Sequence, residues 1–164
     1  MDSLKDALGL GDPYHIGVAV RDLADAMQRF QELLGLGPWG RIDAEVPAVF
    51  RGAETVSGVR SAFARFGAMY VELVEPTVGA FPAKTFLDER GEGIYHLGYW
   101  VEDIPAAIEA AGARGLSVDW AFPAGKPQVV YLDARATWGF HVEFVSPAMR
   151  PGIEAAIEQA ERGA

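Results

Sequence analysis

Three histidines occur in the chain, His15, His96 and His141, and each sits in a short run of β-forming residues. The first two are copies of one another. Tyr14-His15-Ile16-Gly17 returns as Tyr95-His96-Leu97-Gly98, a displacement of 81 positions (96 − 15). The same displacement carries Val20 to Val101, Asp22 to Asp103, Ala26 to Ala107 and Trp39 to Trp120. At the far end of each copy, Val71-Glu72-Leu73-Val74-Glu75-Pro76 is answered by Val142-Glu143-Phe144-Val145-Ser146-Pro147, a displacement of 71 (143 − 72). A pseudo-twofold that relates the copies must relate His15 with His96 and Glu72 with Glu143. Two imidazoles and two carboxylates meeting at one point would form a divalent-metal site of mixed nitrogen and oxygen donors. Such a site suits Zn, Fe, Co, Ni or Mn rather than Ca. The carboxylates would neutralise the ion, and a six-coordinate metal would keep two positions open for a bidentate substrate. Taken singly, a strand histidine is commonly a hydrogen-bonded core residue, and a Glu in a Val-Glu-Leu run commonly faces water. Their joint recurrence favours the metal, because two uncompensated carboxylates facing an interior are costly.

These residues must be positioned by repeated elements. Tyr14–Val20 and Ile94–Val101 alternate and read as strands. Asp22 caps a helix to about Leu34, with an apolar stripe of Leu23, Ala26, Met27, Phe30 and Leu34. Asp103 caps its counterpart to about Ala113, with Pro105 in the first turn, where its missing N–H matters little. Three shorter strands follow in each copy: about Gly40–Asp43, Val59–Phe66 and Ala68–Glu75, then Ser117–Phe122, Gln128–Asp133 and His141–Ser146. The fold class is therefore α+β, a single domain of two tandem βαβββ modules whose eight strands form a curved, cup-shaped mixed sheet. Module one spans 12–76, a linker 77–91, module two 92–147 and a C-terminal helix 150–162. The linker is a turn-rich loop over Pro76–Pro82 and a short helix over Lys84–Arg90. The final helix is amphipathic through Ile153, Ala156, Ile157 and Ala160. The first copy is ten residues longer (81 − 71), and the segment from Trp39 to Val59 is either a mobile lid or an inert surface excursion.

Composition narrows the class. The 164 residues carry a formal charge of −9, are half apolar and include no cysteine. Thiol chemistry, zinc ribbons and disulfide scaffolds are excluded. A nonspecific grip on nucleic acid or anionic membrane is disfavoured by the charge, and no apolar run is long enough to span a bilayer. The acidic N-terminus lacks the apolar core of a secretory signal, so a cytoplasmic setting is expected. Lys126 lies in Pro123-Ala124-Gly125-Lys126-Pro127, which lacks the Walker spacing and reads as a turn.

The two His-x-Gly strands and two Val-Glu strands together resemble the vicinal oxygen chelate superfamily, which includes glyoxalase I, extradiol dioxygenases, bleomycin-resistance proteins and methylmalonyl-CoA epimerase. The resemblance covers about Pro13 to Pro147. His15-Ile16-Gly17-Val18-Ala19-Val20, Val71–Pro76 and the stretch Phe86–His96 are most similar to the epimerase branch. The resemblance implies that His15, Glu72, His96 and Glu143 bind the metal and that the chain is a homodimer acting on a small molecule. It further implies an isomerase, epimerase or lyase working through an enolate next to a carbonyl or acyl thioester. In the epimerase branch a third-strand glutamate is the base; Ser61 stands at the matching place here, in Ser57-Gly58-Val59-Arg60-Ser61-Ala62-Phe63. Other candidates for the proton are Glu143, Glu72 and His141, the last sharing a strand face with Glu143. Ser61, Phe63, Tyr70, Trp100 and Tyr131 are expected to line the substrate cavity, with Phe50 a further wall candidate. Arg51, Arg60 and Lys126 are the cations available to meet an anionic group. A glyoxalase-I-like or natural-product tailoring enzyme is the alternative within the superfamily, and a small-molecule-sequestering protein the alternative outside catalysis.

Overall fold

The computed structural model describes residues 3–164. Each copy begins with a strand that runs into a capped helix. β1 (His15–Ala19) leads to α2 (Leu23–Leu34), which follows a short α1 (Leu4–Leu8) not foreseen from the sequence. The Asp22 side chain accepts from the Asp25 N–H, and Gly35 closes the helix in the left-handed conformation. In the second copy β5 (Gly93–Trp100) leads to α4 (Ile104–Gly112), where Asp103 accepts from the Ala106 N–H. The remaining strands are β2 (Gly40–Phe50), β3 (Ala53–Phe66) and β4 (Met69–Val78), then β6 (Ser117–Phe122), β7 (Val129–Asp133) and β8 (His141–Val145). α3 (Pro82–Arg90) links the copies, a short α5 (Arg135–Trp138) precedes β8, and α6 (Arg150–Arg162) ends the chain. Among the described residues, no helix is long and apolar enough to cross a membrane.

The eight strands close into a barrel in the order β1-β4-β3-β2-β6-β7-β8-β5. β1 runs parallel to β4 and antiparallel to β5, and β5 runs parallel to β8, so the duplication is repeated in the pairing. The two seams between modules differ. β1 and β5 pair along the whole of β1, whereas β2 and β6 share only the pairs Val49–Ala121 and Phe50–Trp120.

The ten-residue surplus of the first copy is ordered strand, which corrects the lid-or-excursion expectation. β2 and β3 form one long hairpin through the two-residue turn Arg51-Gly52, both with positive φ (50° and 81°), as a right-twisting hairpin requires. Pro47, which disguises the strand in the sequence, lies on the stretch of β2 that has no partner opposite β3.

Helices α2 and α4 each cover the outer sheet face of their own module. Leu23 and Ala26 pack on Val18, Val71 and Leu73; Ile104, Ala107 and Ala111 pack on Val130, Leu132 and Phe144. Because β4 and β8 run in opposite senses, the helices that follow them close opposite ends of the barrel. α3 brings Phe86 and Leu87 against Tyr95, with Phe81, Trp120 and Tyr131 in the same cluster. α6 brings Ile153 and Ile157 against Phe63. It lies so close to β2 that a Cβ on Gly40 would fall 2.5 Å from the Ala156 carbonyl carbon. The site is thus left in the middle of the barrel.

Candidate metal centre

Register places the four repeated residues on the inner face. Gly17 of β1 lies opposite Glu72 of β4 on one side and His96 of β5 on the other. Gly98 of β5 lies opposite Glu143 of β8 and His15 of β1. Neighbours paired across strands point to the same face, so both glycines sit on the floor beneath the four side chains. Their lack of a side chain is structural. A Cβ on Gly17 would stand 1.8 Å from the His96 ring, and one on Gly98 would stand 1.9 Å from the His15 ring. Each module thus supplies the space for the other module's imidazole.

All four side chains are buried, and one donor atom from each lies within 4.8 Å of the others. His15 Nε2 stands 3.3 Å from Glu72 Oε2 and 3.0 Å from Glu143 Oε2, and His96 Nε2 stands 3.3 Å from both carboxylates. Donors on adjacent positions of an ion bonded at ~2.1 Å are separated by about 3.0–3.4 Å, which these nitrogen–oxygen spacings match. The two Nε2 atoms, 2.6 Å apart, would part by a few tenths of an ångström to the same spacing. Glu143 Oε2 is buried without a hydrogen-bond donor, so an acceptor faces the cluster unsatisfied. The donor set therefore fits a divalent ion.

Electrostatics point the same way. Burial works against charge on the His15 ring, but the adjacent carboxylates of Glu143 and Glu72 outweigh it and raise its pKa to about 9. Burial works against charge on Glu72 as well, yet His15 and His96 hold its carboxyl below the usual carboxylate range. Glu143 is lowered in the same way, against its burial, by His96 and His15. Positive charge gathered at one point keeps both carboxylates ionised, and a divalent cation supplies it more fully than a protonated imidazole.

A cavity of about 170 Å³ opens beside the cluster, bordered by His15, Glu72 and Glu143. Of the wall residues expected from the sequence, Ser61, Phe63 and Tyr131 line it. Tyr70 and Trp100 do not, although their strand parity is inward. Both stand at the α6 end, where they pack with Phe63, Ile153 and Ile157. Trp100 stacks on Tyr14 at 3.8 Å, and the Tyr70 hydroxyl accepts from Arg65 at 3.5 Å. Phe50 is likewise outside the lining. Tyr14, Ser57 and Trp120 line the cavity without having been singled out. Ser57 is occupied: its hydroxyl accepts from Trp120 Nε1 at 2.8 Å and donates to the Ala80 carbonyl at 2.6 Å. The Tyr131 and Tyr95 hydroxyls meet at 3.2 Å, and burial pushes both phenols well above their ordinary pKa.

His141 is fully buried but belongs to neither the four-residue cluster nor the cavity lining. Its Nε2 pairs with Asp119 Oδ2 at 2.9 Å, and Asp119 Oδ1 accepts from Arg51 Nε at 2.7 Å. Burial disfavours the Asp119 charge, but His141 and Arg51 together hold its pKa below the ordinary value. Asp119 stands at an irregularity of the β6–β7 pairing between Val118 and Trp120. A bulge redirects a side chain against strand parity, so no alternation pattern reveals it. Arg60 lies outside with Glu75, at 3.4 Å.

Comparison with known proteins agrees with this architecture. Residues 14–131 match the family model described as Glyoxalase/Bleomycin resistance protein/Dioxygenase superfamily. An uncharacterized protein of Bacillus subtilis, YqjC, is 28% identical over 138 residues, covering 81% of this chain and 90% of its own. The crystal structure of a hypothetical protein from Bacillus halodurans C-125 is 28% identical, with a TM-score of 0.58 over 82% of this chain and 93% of that one. The methylmalonyl-CoA epimerase of Mycobacterium tuberculosis shares the fold at 22% identity, with a TM-score of 0.60 over 93% of this chain and 96% of that one. With the family model matching Tyr14 to Tyr131, well over half of the chain, the chain belongs to the glyoxalase/bleomycin resistance protein/dioxygenase superfamily.

Proposed function

We propose that the chain is a divalent-metal-dependent isomerase, epimerase or lyase that moves a proton adjacent to a carbonyl or acyl-thioester group. The observation that carries this reading is the convergence of His15, His96, Glu72 and Glu143 beside a cavity that two of those carboxylates border. When bound, the ion supplies Lewis-acid polarisation of two neighbouring substrate oxygens, which acidifies the adjacent C–H. The two imidazoles and two carboxylates hold it. Glu143 or Glu72 would leave the ion to take the substrate proton and return it, since these are the acids that border the cavity. Ser61 lines the wall where relatives in the epimerase branch are expected to carry a base. Its hydroxyl can donate a hydrogen bond to substrate but is too weak a base to take the proton unaided. Tyr131, kept protonated by burial, can also donate a hydrogen bond from the wall. The apolar walls exclude water and keep the proton from leaking to solvent. Likeness of fold to methylmalonyl-CoA epimerases supports the reaction class.

The test is turnover of metal-loaded protein in deuterium oxide, with a panel of acyl thioesters and 2-oxoaldehydes followed by mass spectrometry. Deuterium should enter at the position next to the carbonyl and be lost from the reaction after chelation. Turnover that needs dioxygen and shows no exchange refutes the proposal. The apolar cavity also suits a sequestering protein, which predicts binding that survives chelation and no turnover of any candidate.

A further inference from the structure

The cavity has a charge pattern that restricts its ligand. Among the described residues, no lysine or arginine lines it; the ionisable groups on its walls besides the phenols of Tyr14 and Tyr131 are His15, Glu72 and Glu143, all members of the metal cluster. Arg51 and Arg60, singled out from the sequence as cations for an anionic group, are engaged elsewhere, Arg51 with Asp119 and Arg60 with Glu75. The two carboxylates and a divalent ion sum to zero, so the loaded centre offers little field to a further anionic group. Away from the cluster the walls are hydrocarbon, formed by Ile42, Val46, Val59, Phe122, Val129 and Val145. Of the hydroxyls present, Ser57 is already committed to Trp120 and Ala80. A carboxylate or phosphate placed among these walls would lose its hydration with no cation to replace it, only the hydroxyls of Ser61, Tyr14 and Tyr131 being there to donate.

Size and access are also set. A cavity of about 170 Å³ is close to the ~150 Å³ that accommodates a benzene ring in an apolar core. Ile42, Ala44 and Val46 belong to the stretch of β2 that lacks a β6 partner, so the mouth runs along this open seam rather than through either capped end. Ala44 on the mouth is exposed.

We infer that the ligand of this site carries its charge only on the two oxygens that meet the ion, and that the group it projects into the cavity is uncharged and apolar, of the size of one aromatic ring or a branched chain. The inference rests on the metal-centre reading above and adds the substrate class. A ligand with a second anionic group within the cavity is rejected by the lack of a cation there.

Hydroxamates, which chelate through two neighbouring oxygens, test it without requiring catalysis. Calorimetry on cobalt-loaded protein should show benzohydroxamate binding about thirtyfold tighter than acetohydroxamate, the gain from burying the ring. A 4-carboxybenzohydroxamate should forfeit about tenfold or more of that gain. Ala44→Lys, placed at the exposed mouth, should narrow the gap between the charged and uncharged aromatic probes severalfold. Equal binding of the three probes, or tighter binding of the carboxylated one to unaltered protein, overturns the inference and leaves the metal centre standing. Failure to take up a stoichiometric ion, or failure of acetohydroxamate to bind loaded protein, overturns the metal-centre reading and this inference with it.

Discussion

Gly98→Ala is the most direct test of how the barrel builds its centre. The added methyl carbon would lie 1.9 Å from His15 Cε1, 2.2 Å from Nδ1 and 2.8 Å from Nε2, whereas ordinary contact begins at 3.4 Å. The ring must therefore retreat by 1.5 Å (3.4 − 1.9). Metal–ligand distances tolerate deviations of only about 0.2 Å, so His15 can no longer reach an ion held by the other three residues. Disturbing a group that merely orients a ligand costs roughly 10–100-fold in affinity. Loss of the ligand itself should cost at least the upper figure, about 3 kcal/mol or more. The assay is competition for Co(II) or Zn(II) against a chromophoric chelator, with circular dichroism to verify that the variant is folded. Gly152→Ala, in α6 with no atom near its Cβ position, is the matched control and should bind the ion as the unaltered chain does. A folded Gly98→Ala protein that retains full metal affinity refutes the argument that these glycines exist to admit the imidazoles.

Four further outcomes are expected. With His15 raised to about 9, metal uptake must displace a proton, so affinity should climb as pH rises from 6.5 to about 9, by up to tenfold per unit; a flat profile in a buffered titration would count against the assigned ligand. In metal-free protein the sign reverses for stability, since a raised histidine pKa stabilises fully below about 6.5 and this contribution is lost as pH passes about 9, giving a falling Tm over that window. Asp119→Ala leaves buried His141 without its partner and frees Arg51, and should cost about 3 kcal/mol, or roughly 6–12 °C in Tm by calorimetry. Ile157→Ala removes a fully buried side chain from beneath α6 and should destabilise by about 2–4 kcal/mol in urea melts.

The chemistry-bearing residues were legible because the copy relation constrains them jointly. Neither His15 nor Glu72 is conspicuous alone, but a repeat forces His96 and Glu143 to accompany them, and register then leaves one place where all can meet. The capped helices and most strand positions were legible for local reasons, namely Asp22, Asp103 and the alternation after them. The long β2–β3 hairpin was hidden because its middle carries Asp43, Glu45 and Pro47 on an edge without a second partner, where polar and ring residues cost little. Tyr70 and Trp100 show the limit of parity. Alternation tells which face a side chain takes but not that a distant helix, α6, will fill that part of the interior. Asp119 was illegible for the opposite reason, since an irregularity in pairing breaks the alternation itself. The role of Gly17 and Gly98 was present in the repeated motif, yet what they make room for comes from the other half of the chain.

That exchange has a corollary for how such a chain can arise. The strand His-x-Gly is self-complementary: its ring fits the vacancy of an identical strand running the opposite way, and its vacancy receives that strand's ring. Two free copies of one module would present the same pair of contacts across an isologous interface. Once joined in tandem the halves are no longer at liberty to drift apart in sequence at these points, because enlarging either glycine evicts the opposite histidine.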